Sequence, residues 1–292
     1  MFDIGKLVQT NSLQEAIGFL QSNPEARLIA GGTDLIIKIR EGKLPGAQLV
    51  SIHGLPELSR ISLADDGIIS IGSGVNFTKI SRNPLIRGKV PVLAEAVETV
   101  GGPQIRHVGT IGGNLCNGVT SADSVSTLLA LNASLKIVGP RGSRMLSIHD
   151  FYQGPGRVNL AHDEVLTEIL LSPEDYQDFG GHYIKYAMRQ AMDIAALGCA
   201  VVCQVGGKDR VIDVRLAFGV AASTPIRARK TEEMARGRTF GEELVEEFGQ
   251  SAVTEVNPRT SWRASREFRL QLVKELSKRA FREAFIRAGG EC

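Results

Sequence analysis

A glycine-rich stretch between residues 101 and 118 constrains the fold of this chain more than any other segment. It reads GGPQIRHVGTIGGNLCNG, and its glycines are Gly101, Gly102, Gly109, Gly112, Gly113 and Gly118. The stretch is too apolar and too varied in sequence to be a flexible linker. We therefore predict ordered backbone, held at positions where a side chain would be in the way.

An earlier glycine-rich segment, AGGTD at residues 30–34, follows the short, mainly apolar residues 27–29 and precedes the apolar residues 35–37. This order predicts a strand, a glycine turn and a helix. Because neither glycine segment fits G-x-G-x-x-G or G-x-x-x-x-G-K-[ST], a Rossmann or P-loop nucleotide site is not supported.

The two glycine-rich segments, which we treat as two loops, can still bind phosphate. Consecutive backbone N–H groups in a tight turn bind an anion, and glycine lets a phosphate approach the main chain. No lysine lies inside either loop, so an anion would be held mainly by dipoles, with Thr33, Thr110 and Asn114 as further donors. A single loop of this kind is more often a plain turn, so the residues alone leave both interpretations open.

The overall composition indicates an ordinary globular protein. With 292 residues, 43% of them hydrophobic, the chain is long enough for two domains with a sizeable core. A formal net charge of +2 gives no reason to expect nucleic acid as the main partner. No run of 18 apolar residues occurs and the N-terminus lacks the pattern of a signal peptide, so we expect no membrane segment and a cytoplasmic protein.

The cysteines and histidines do not form a metal-binding pattern. Cys116, Cys199, Cys203 and Cys292 include no C-x-x-C pair, so an iron–sulfur cluster in this chain is not expected. The histidines have no ligand spacing such as H-E-x-x-H. Cys199 and Cys203 are predicted to be small buried residues of a strand.

Hydrophobic periodicity predicts a mixture of helices and strands, and therefore an α+β fold. A capping box at Ser12 and Glu15 marks the start of the first helix. The predicted helices cover residues 12–21, 92–100 and 267–288, and the predicted strands cover 49–52, 68–71, 134–138, 165–171, 198–205 and 211–220. The polar residues 172–175 favour a boundary between a domain at 1–175 and a domain at 176–292.

Several motifs resemble, in order and spacing, the FAD-binding subunits of molybdenum hydroxylases, above all those of the xanthine dehydrogenase type. The part at residues 104–124 is the most specific. The motifs are LIAGGTDL (28–35), QIRHVGTIGGNLCNGVTSADS (104–124), EVLTEILL (164–171), YIKYAMRQAMDIA (183–195) and SWRASREFR (261–269). The resemblance implies an FAD-binding fold of the vanillyl-alcohol-oxidase (PCMH) type with two α+β subdomains, followed by a C-terminal α+β domain of the CO dehydrogenase flavoprotein type.

The resemblance also implies which residues bind the cofactor. The first loop would wrap the FAD diphosphate with Leu28, Ile29, Ala30, Gly31, Gly32, Thr33, Asp34 and Leu35. The second loop would hold it from the other side with Gly109, Thr110, Ile111, Gly112, Gly113 and Asn114.

Three further residues are implied by the resemblance, and each has a simpler structural alternative. Asp123 would accept hydrogen bonds from cofactor hydroxyls, or it could cap a helix that starts near Ser124. Leu166 would supply a backbone or apolar contact, or it could be a core residue. Lys185 would lie near the flavin ring, where a cation favours negative charge on the flavin, or it could be an exposed strand lysine.

The function implied by the resemblance is electron transfer by non-covalent FAD, with no side chain of this subunit expected to be catalytic. Electrons would come from 2Fe–2S clusters on a small partner subunit and leave as a hydride to NAD⁺. A large partner subunit with the molybdenum cofactor would hydroxylate hypoxanthine or xanthine in purine catabolism. The alternatives are an FAD subunit of a carbon monoxide, aldehyde or N-heterocycle dehydrogenase, or an assembly protein without flavin.

Overall fold

The computed structural model describes residues 2–291, and its N-terminal part is a three-stranded parallel sheet in the order β1-β3-β2. Because parallel neighbours require a crossover, helices connect successive strands. The elements are β1 (Ile4–Gln9), α1 (Leu13–Ser22), β2 (Ala26–Ile29), α2 (Leu35–Arg40) and β3 (Ala47–Ser51).

Helix α1 forms where the capping box predicts it. The Ser12 hydroxyl accepts a hydrogen bond from the backbone N–H of Glu15 at 3.2 Å, and the Glu15 carboxylate accepts one from the N–H of Asn11 at 2.8 Å. The helix buries Ile17 and Leu20 against the sheet. The predicted strand–turn–helix order over β2 and α2 is also present.

The middle part of the chain is a five-stranded antiparallel sheet in the order β4-β5-β10-β6-β7, covered by short helices. Its strands are β4 (Ile61–Leu63), β5 (Ile69–Gly72), β6 (Ser134–Gly139), β7 (Gly142–Ser147) and β10 (Val165–Leu171), with a small hairpin of β8 (Tyr152–Gly154) and β9 (Arg157–Val158). Its helices are α3 (Phe77–Arg82), α4 (Pro84–Lys89), α5 (Pro91–Glu98), α6 (Pro103–Val108), α7 (Ile111–Cys116) and α8 (Asp123–Ala130).

The glycine-rich stretch lies in this middle part, where it forms α6 and α7. The backbone is ordered as predicted, but the interpretation of residues 110–114 as a loop is wrong. Thr110 is the N-cap of α7, because its hydroxyl accepts a hydrogen bond from the N–H of Gly113 at 3.1 Å. A Cβ on Gly112 would lie 2.5 Å from the Cβ of Ser73, so glycine is needed there for close packing.

The C-terminal part is a four-stranded antiparallel sheet in the order β11-β12-β13-β14, with helices on one face. Its elements are α9 (Pro173–Tyr176), β11 (Phe179–Tyr186), β12 (Leu197–Gly206), β13 (Arg210–Gly219), β14 (Ile226–Arg227), α10 (Arg229–Ala235), α11 (Glu242–Thr254) and α12 (Arg266–Arg287). Helix α12 lies where the sequence predicts a helix at residues 267–288, and it packs on β11, β12 and α11. Cys199 and Cys203 are buried in β12, as predicted.

The C-terminal sheet connects this part to the middle of the chain. Its second face carries Tyr183, Val202 and Ala217, which belong to the same hydrophobic core as the helices of the middle part. A hydrogen bond adds to the contact, since the buried Arg215 guanidinium donates to the backbone carbonyl of Ala130 in α8 at 3.4 Å. Within residues 2–291, no helix is both long and apolar enough to cross a membrane.

Candidate functional site

A cavity of about 690 Å³ lies where the first loop meets the helices of the middle part. This volume is in the range of small-molecule and cofactor sites. All of the residues predicted to bind the cofactor line it except Ile111 and Lys185. Those that do are Leu28, Ile29, Ala30, Gly31, Gly32, Thr33, Asp34, Leu35, Gly109, Thr110, Gly112, Gly113, Asn114, Asp123 and Leu166.

The first loop reaches the cavity with free hydrogen-bond donors. The backbone N–H groups of residues 30–34 donate to no acceptor within residues 2–291. Such groups rarely remain unsatisfied in a folded protein, so a row of them along a cavity indicates a site for an anion or for water. This segment can therefore bind phosphate through its main chain.

Two glycines shape the first loop in different ways. Gly32 has a φ of +72°, a conformation that residues with a Cβ rarely adopt. Gly31 packs on the end of α6, because a Cβ there would lie 2.0 Å from the carbonyl oxygen of Val108. The main chains of the two glycine segments therefore touch, and Gly31 holds them at this distance.

The second segment has few backbone donors left for a ligand. The N–H of Ile111 donates to Val75 at 3.0 Å, that of Gly112 to Ser73 at 2.8 Å, and that of Asn114 to Thr110 at 3.0 Å. The amides of the second segment therefore offer a phosphate fewer donors than those of the first loop do. Glycines 112 and 113 instead provide a surface without side chains that a ligand can approach closely.

The polar side chains of the second segment are also engaged. The Thr110 hydroxyl caps α7, and the Asn114 Oδ1 accepts a hydrogen bond from the Ser124 hydroxyl at 2.7 Å. Ile111 is fully buried in the core, and its predicted contact with the cofactor is replaced by a supporting role behind the cavity wall.

Two cations near the first loop were missed by the sequence reasoning. Arg27 and Lys38 both line the cavity. The Lys38 ammonium donates to the Asn117 side chain at 2.9 Å, which joins α2 to the end of α7. The sequence could have indicated Lys38, because a helical residue four positions after Asp34 lies on the same face of the helix. An anion in the cavity would therefore meet two cations in addition to the backbone dipoles that the sequence analysis expects to hold it.

Asp123 is the first residue of α8 and lies at the cavity wall. Its carboxylate accepts a hydrogen bond from the Tyr183 hydroxyl at 2.9 Å and one from the Lys185 ammonium at 2.8 Å. The N-cap of α8 is Ala122, with no hydrogen bond from a capping side chain. The helix-cap alternative for Asp123 is therefore wrong.

Burial dominates the electrostatics of Asp123. Desolvation raises the pKa of its carboxyl group, and the charge and hydrogen bond of Lys185 together with the hydrogen bond of Tyr183 oppose this rise. Burial and the neighbouring carboxylate also raise the pKa of Tyr183 well above its ordinary value. The tyrosine is thus a neutral donor to Asp123.

Lys185 and Leu166 lie at the back of the site. The Lys185 side chain is only 9% exposed, so the alternative of an exposed strand lysine is wrong. It pairs with Asp123 and donates to the backbone carbonyl of Thr99 at 2.9 Å, and it does not line the cavity. Leu166 belongs to the core and also lines the cavity, so its contact with the cofactor stays a prediction.

A segment between β11 and β12 completes the wall with Met192, Asp193 and Ile194. Met192 has a φ of +56°, and the Asp193 carboxylate accepts a hydrogen bond from the backbone N–H of Arg189 at 3.0 Å. No periodicity in the sequence signalled these residues. Cys116 also lines the cavity, but burial raises its pKa to about 12, so it is no thiolate nucleophile.

Comparison with known families shows to which family the chain belongs. The family model described as the FAD-binding domain in molybdopterin dehydrogenase matches residues 2–173, and the CO dehydrogenase flavoprotein C-terminal domain matches residues 182–284. The chain belongs to the FAD-binding medium subunits of the xanthine dehydrogenase and molybdenum hydroxylase family. The predicted FAD-binding domain with a C-terminal domain of the CO dehydrogenase flavoprotein type is thereby confirmed.

Relatives across this family match the chain nearly end to end. The xanthine dehydrogenase FAD-binding subunit of Escherichia coli O157:H7 is 42% identical over 291 residues, which are 100% of this chain and 99% of that protein. The glyceraldehyde dehydrogenase medium chain of Sulfolobus acidocaldarius is 31% identical, covering 94% of this chain and 96% of that protein. Carbon monoxide dehydrogenase from Hydrogenophaga pseudoflava includes a chain that superimposes with a TM-score of 0.93 at 27% identity, covering 98% and 99% of the two chains.

Proposed function

We propose that this medium subunit binds FAD non-covalently in the cavity and works in a xanthine dehydrogenase complex. The observation that carries the proposal is the row of unpaired backbone amides at residues 30–34. The FAD diphosphate supplies negative oxygens that such amides bind well. Arg27 and Lys38 add positive charge at the same wall, so the site fits a dinucleotide better than an uncharged ligand.

Each predicted residue has a proposed role that follows from its contacts. The first loop holds the diphosphate, with Gly32 providing the turn that its positive φ requires. The helix α7 provides a close surface through Gly112 and Gly113. Asp123 accepts hydrogen bonds from cofactor hydroxyls, because an ionised carboxylate only accepts. We also propose a domain boundary near residue 175.

The proposed electron path follows from the family to which the chain belongs. FAD, when bound, would take up two electrons singly from one-electron centres together with a proton from water, and would pass them to NAD⁺ as a hydride. We propose a small iron–sulfur subunit as donor and a large molybdenum subunit as the site of purine hydroxylation. The 42% identity with a xanthine dehydrogenase subunit favours a purine over the aldehyde of the 31% identical relative.

Flavin binding can be tested with the purified full-length chain. We expect absorption near 450 nm, as is typical of oxidised flavin, and FAD should bind much more tightly than riboflavin because only FAD has the diphosphate. Lys38→Met should weaken FAD binding about two- to five-fold, the value of a partly exposed charge contact. The control is Lys43→Met, which removes an exposed lysine that does not line the cavity. Equal affinity for FAD and riboflavin would contradict the diphosphate assignment.

The proposed substrate and electron acceptor can be tested with the assembled complex. Co-expression with the neighbouring subunits should yield a complex that contains molybdenum, iron and flavin and reduces NAD⁺ when xanthine or hypoxanthine is supplied. A complex that oxidises carbon monoxide, an aldehyde or another N-heterocycle instead would identify a different member of the family. A chain that joins the complex but carries no FAD would support the assembly-protein alternative.

A further inference from the structure

Two side chains of strand β11 converge on the Asp123 carboxylate. Tyr183 and Lys185 are two residues apart, so they project from the same face of the strand. The Tyr183 hydroxyl donates to Oδ1 of Asp123 and the Lys185 ammonium donates to Oδ2. Each carboxylate oxygen therefore has a separate donor, and this fixes the rotation of the group.

We infer that Tyr183 and Lys185 are positioning residues, which act on the cofactor through Asp123 by fixing its carboxylate and keeping it negatively charged. This inference rests on the proposed function, because Asp123 is taken to be the residue that meets the cofactor hydroxyls. It departs from the expectation that Lys185 lies at the flavin ring itself.

The position of Lys185 supports an indirect role. Asp123 lines the cavity, whereas Lys185 does not. The ammonium is held from two sides, by Asp123 at 2.8 Å and by the Thr99 carbonyl at 2.9 Å. Thr99 directly precedes Val100 and Gly101 of the cavity wall, so the lysine also connects this wall to β11.

The charge balance at Asp123 depends on this lysine. Burial raises the pKa of the carboxyl group, and the main opposing influence is Lys185. The other ionisable groups nearby carry no compensating charge. Burial raises the pKa of Cys116 on α7 and of Cys199 on β12, which leaves both thiols neutral. Without Lys185, the buried carboxyl group would take up a proton at a higher pH.

The remaining elements that pack on α8 do not replace the lysine. On α5, Glu95 pairs with Arg287, on β13, Arg215 pairs with Asp175 and Asp213, and on β14, Arg227 pairs with Glu232. Between β7 and β8, burial lowers the pKa of His149 to about 4, so this side chain is neutral over most of the pH range of interest. The positive end of the α8 dipole also favours an anion at Asp123, but this effect is modest and is present in every variant. Lys185 is thus the cation on which the charge of Asp123 depends.

The consequence is a pH-dependent affinity for FAD. An ionised Asp123 accepts hydrogen bonds from cofactor hydroxyls, and protonation removes the charge and part of the accepting capacity. FAD affinity should therefore fall as the pH is lowered through the pKa of Asp123. Loss of Lys185 should move this fall to higher pH, and loss of the Tyr183 hydroxyl should move it in the same direction by less.

The experiment is a set of FAD titrations of the full-length chain between pH 5 and 9, followed by flavin fluorescence. The chains compared are the wild type, Lys185→Met, Tyr183→Phe and Asp123→Asn. In Lys185→Met, the pH at which affinity falls should rise by about one to three pH units, the effect of one close opposite charge. Asp123→Asn should bind FAD more weakly than the wild type at pH 8 and show no such pH dependence.

The outcomes separate this inference from the proposed function. A wild type that binds no FAD contradicts the proposed function itself. If the wild type binds and Lys185→Met weakens FAD equally at every pH, Lys185 contacts the cofactor directly and the inference is overturned. If Lys185→Met does not fold, Tyr183→Phe decides alone, because a profile identical to that of the wild type contradicts the inference.

Discussion

The α-carbon of Gly31 packs directly on the carbonyl oxygen of Val108, so that a Cβ at position 31 would lie 2.0 Å from that oxygen. This contact places the free backbone N–H groups of the first loop next to the end of α6, which is part of the glycine-rich stretch 101–118. The cavity owes its shape to this approach of two main chains. The need for glycine at position 31 therefore arises from packing within the protein, before any cofactor is considered.

Replacing Gly31 with alanine should widen the gap between the two segments and weaken FAD binding. We expect at least a ten-fold loss of affinity, because a carbonyl oxygen cannot yield as a flexible side chain can and the backbone must move. The measurement is an FAD titration. The control is Gly18→Ala in the interior of α1, where an added Cβ meets nothing within 4 Å. That variant should bind FAD normally and gain about 0.5–1 kcal/mol in stability. Unchanged FAD affinity in Gly31→Ala would refute the packing argument.

Gly112→Ala should destabilise the protein as well as weaken FAD binding. A Cβ there would lie 2.5 Å from the Cβ and 2.7 Å from the oxygen of Ser73, in a helix whose backbone is otherwise regular. We expect a loss of about 1–3 kcal/mol in the free energy of unfolding, typical of overpacking. Thermal or urea unfolding without FAD would measure it. Gly113→Ala, with only the Thr110 hydroxyl at 3.0 Å, should lose less. Equal losses would contradict the role of Ser73.

Local signals in the sequence predict a large share of the fold. The capping box at Ser12 places α1 within one residue, and continuous apolar runs locate β10, β12 and β13. These features depend on neighbours in the sequence, so they can be read without the tertiary structure. The short helix α7 could not be predicted, because Gly112 and Gly113 are unfavourable in a helix and Gly112 is required by close packing on Ser73. Helix α6 has only six residues, too few to show a helical periodicity.

The site itself depends on contacts between residues far apart in the chain. The adjacent glycines correctly indicated the first loop, because the turn and its free backbone N–H groups belong to one short segment of the chain. The amides of Ile111 and Gly112 are satisfied by Val75 and Ser73, and only the folded chain shows this. The pairing of Asp123 with Lys185 joins residues 62 positions apart. Long-range pairing of this kind leaves no local signal in a single sequence.

The buried ion pair of Arg227 and Glu232 should be important for stability. The two side chains are 4% and 1% exposed, and Glu232 also accepts a hydrogen bond from the backbone N–H of Leu216 at 2.9 Å. Glu232→Gln would leave the Arg227 cation buried without its counter-charge. We expect a loss of about 3–5 kcal/mol in the free energy of unfolding.

Urea unfolding of the Glu232→Gln chain is the appropriate measurement. The matched control is Glu291→Gln, which breaks the exposed pair with Lys208, where the charged atoms are 2.7 Å apart and the side chains are 67% and 74% exposed. Exposed pairs contribute little, so this change should leave stability unaltered within error. Similar stabilities for the two variants would show that the buried pair is not a stabilising element.

The stability of the chain should fall in acid because of His149. Burial, followed by the charge of Arg227, lowers the pKa of this histidine to about 4, while its ordinary value is 6.5. The unfolded chain therefore binds a proton at a higher pH than the folded chain does. The contribution of His149 to the free energy of unfolding is fully present above pH 6.5 and is lost progressively as the pH falls towards 4. The free energy of unfolding, measured with urea, should decrease less between pH 7 and pH 5 for His149→Gln than for the wild type. The same loss in both chains would mean that other groups cause the acid sensitivity.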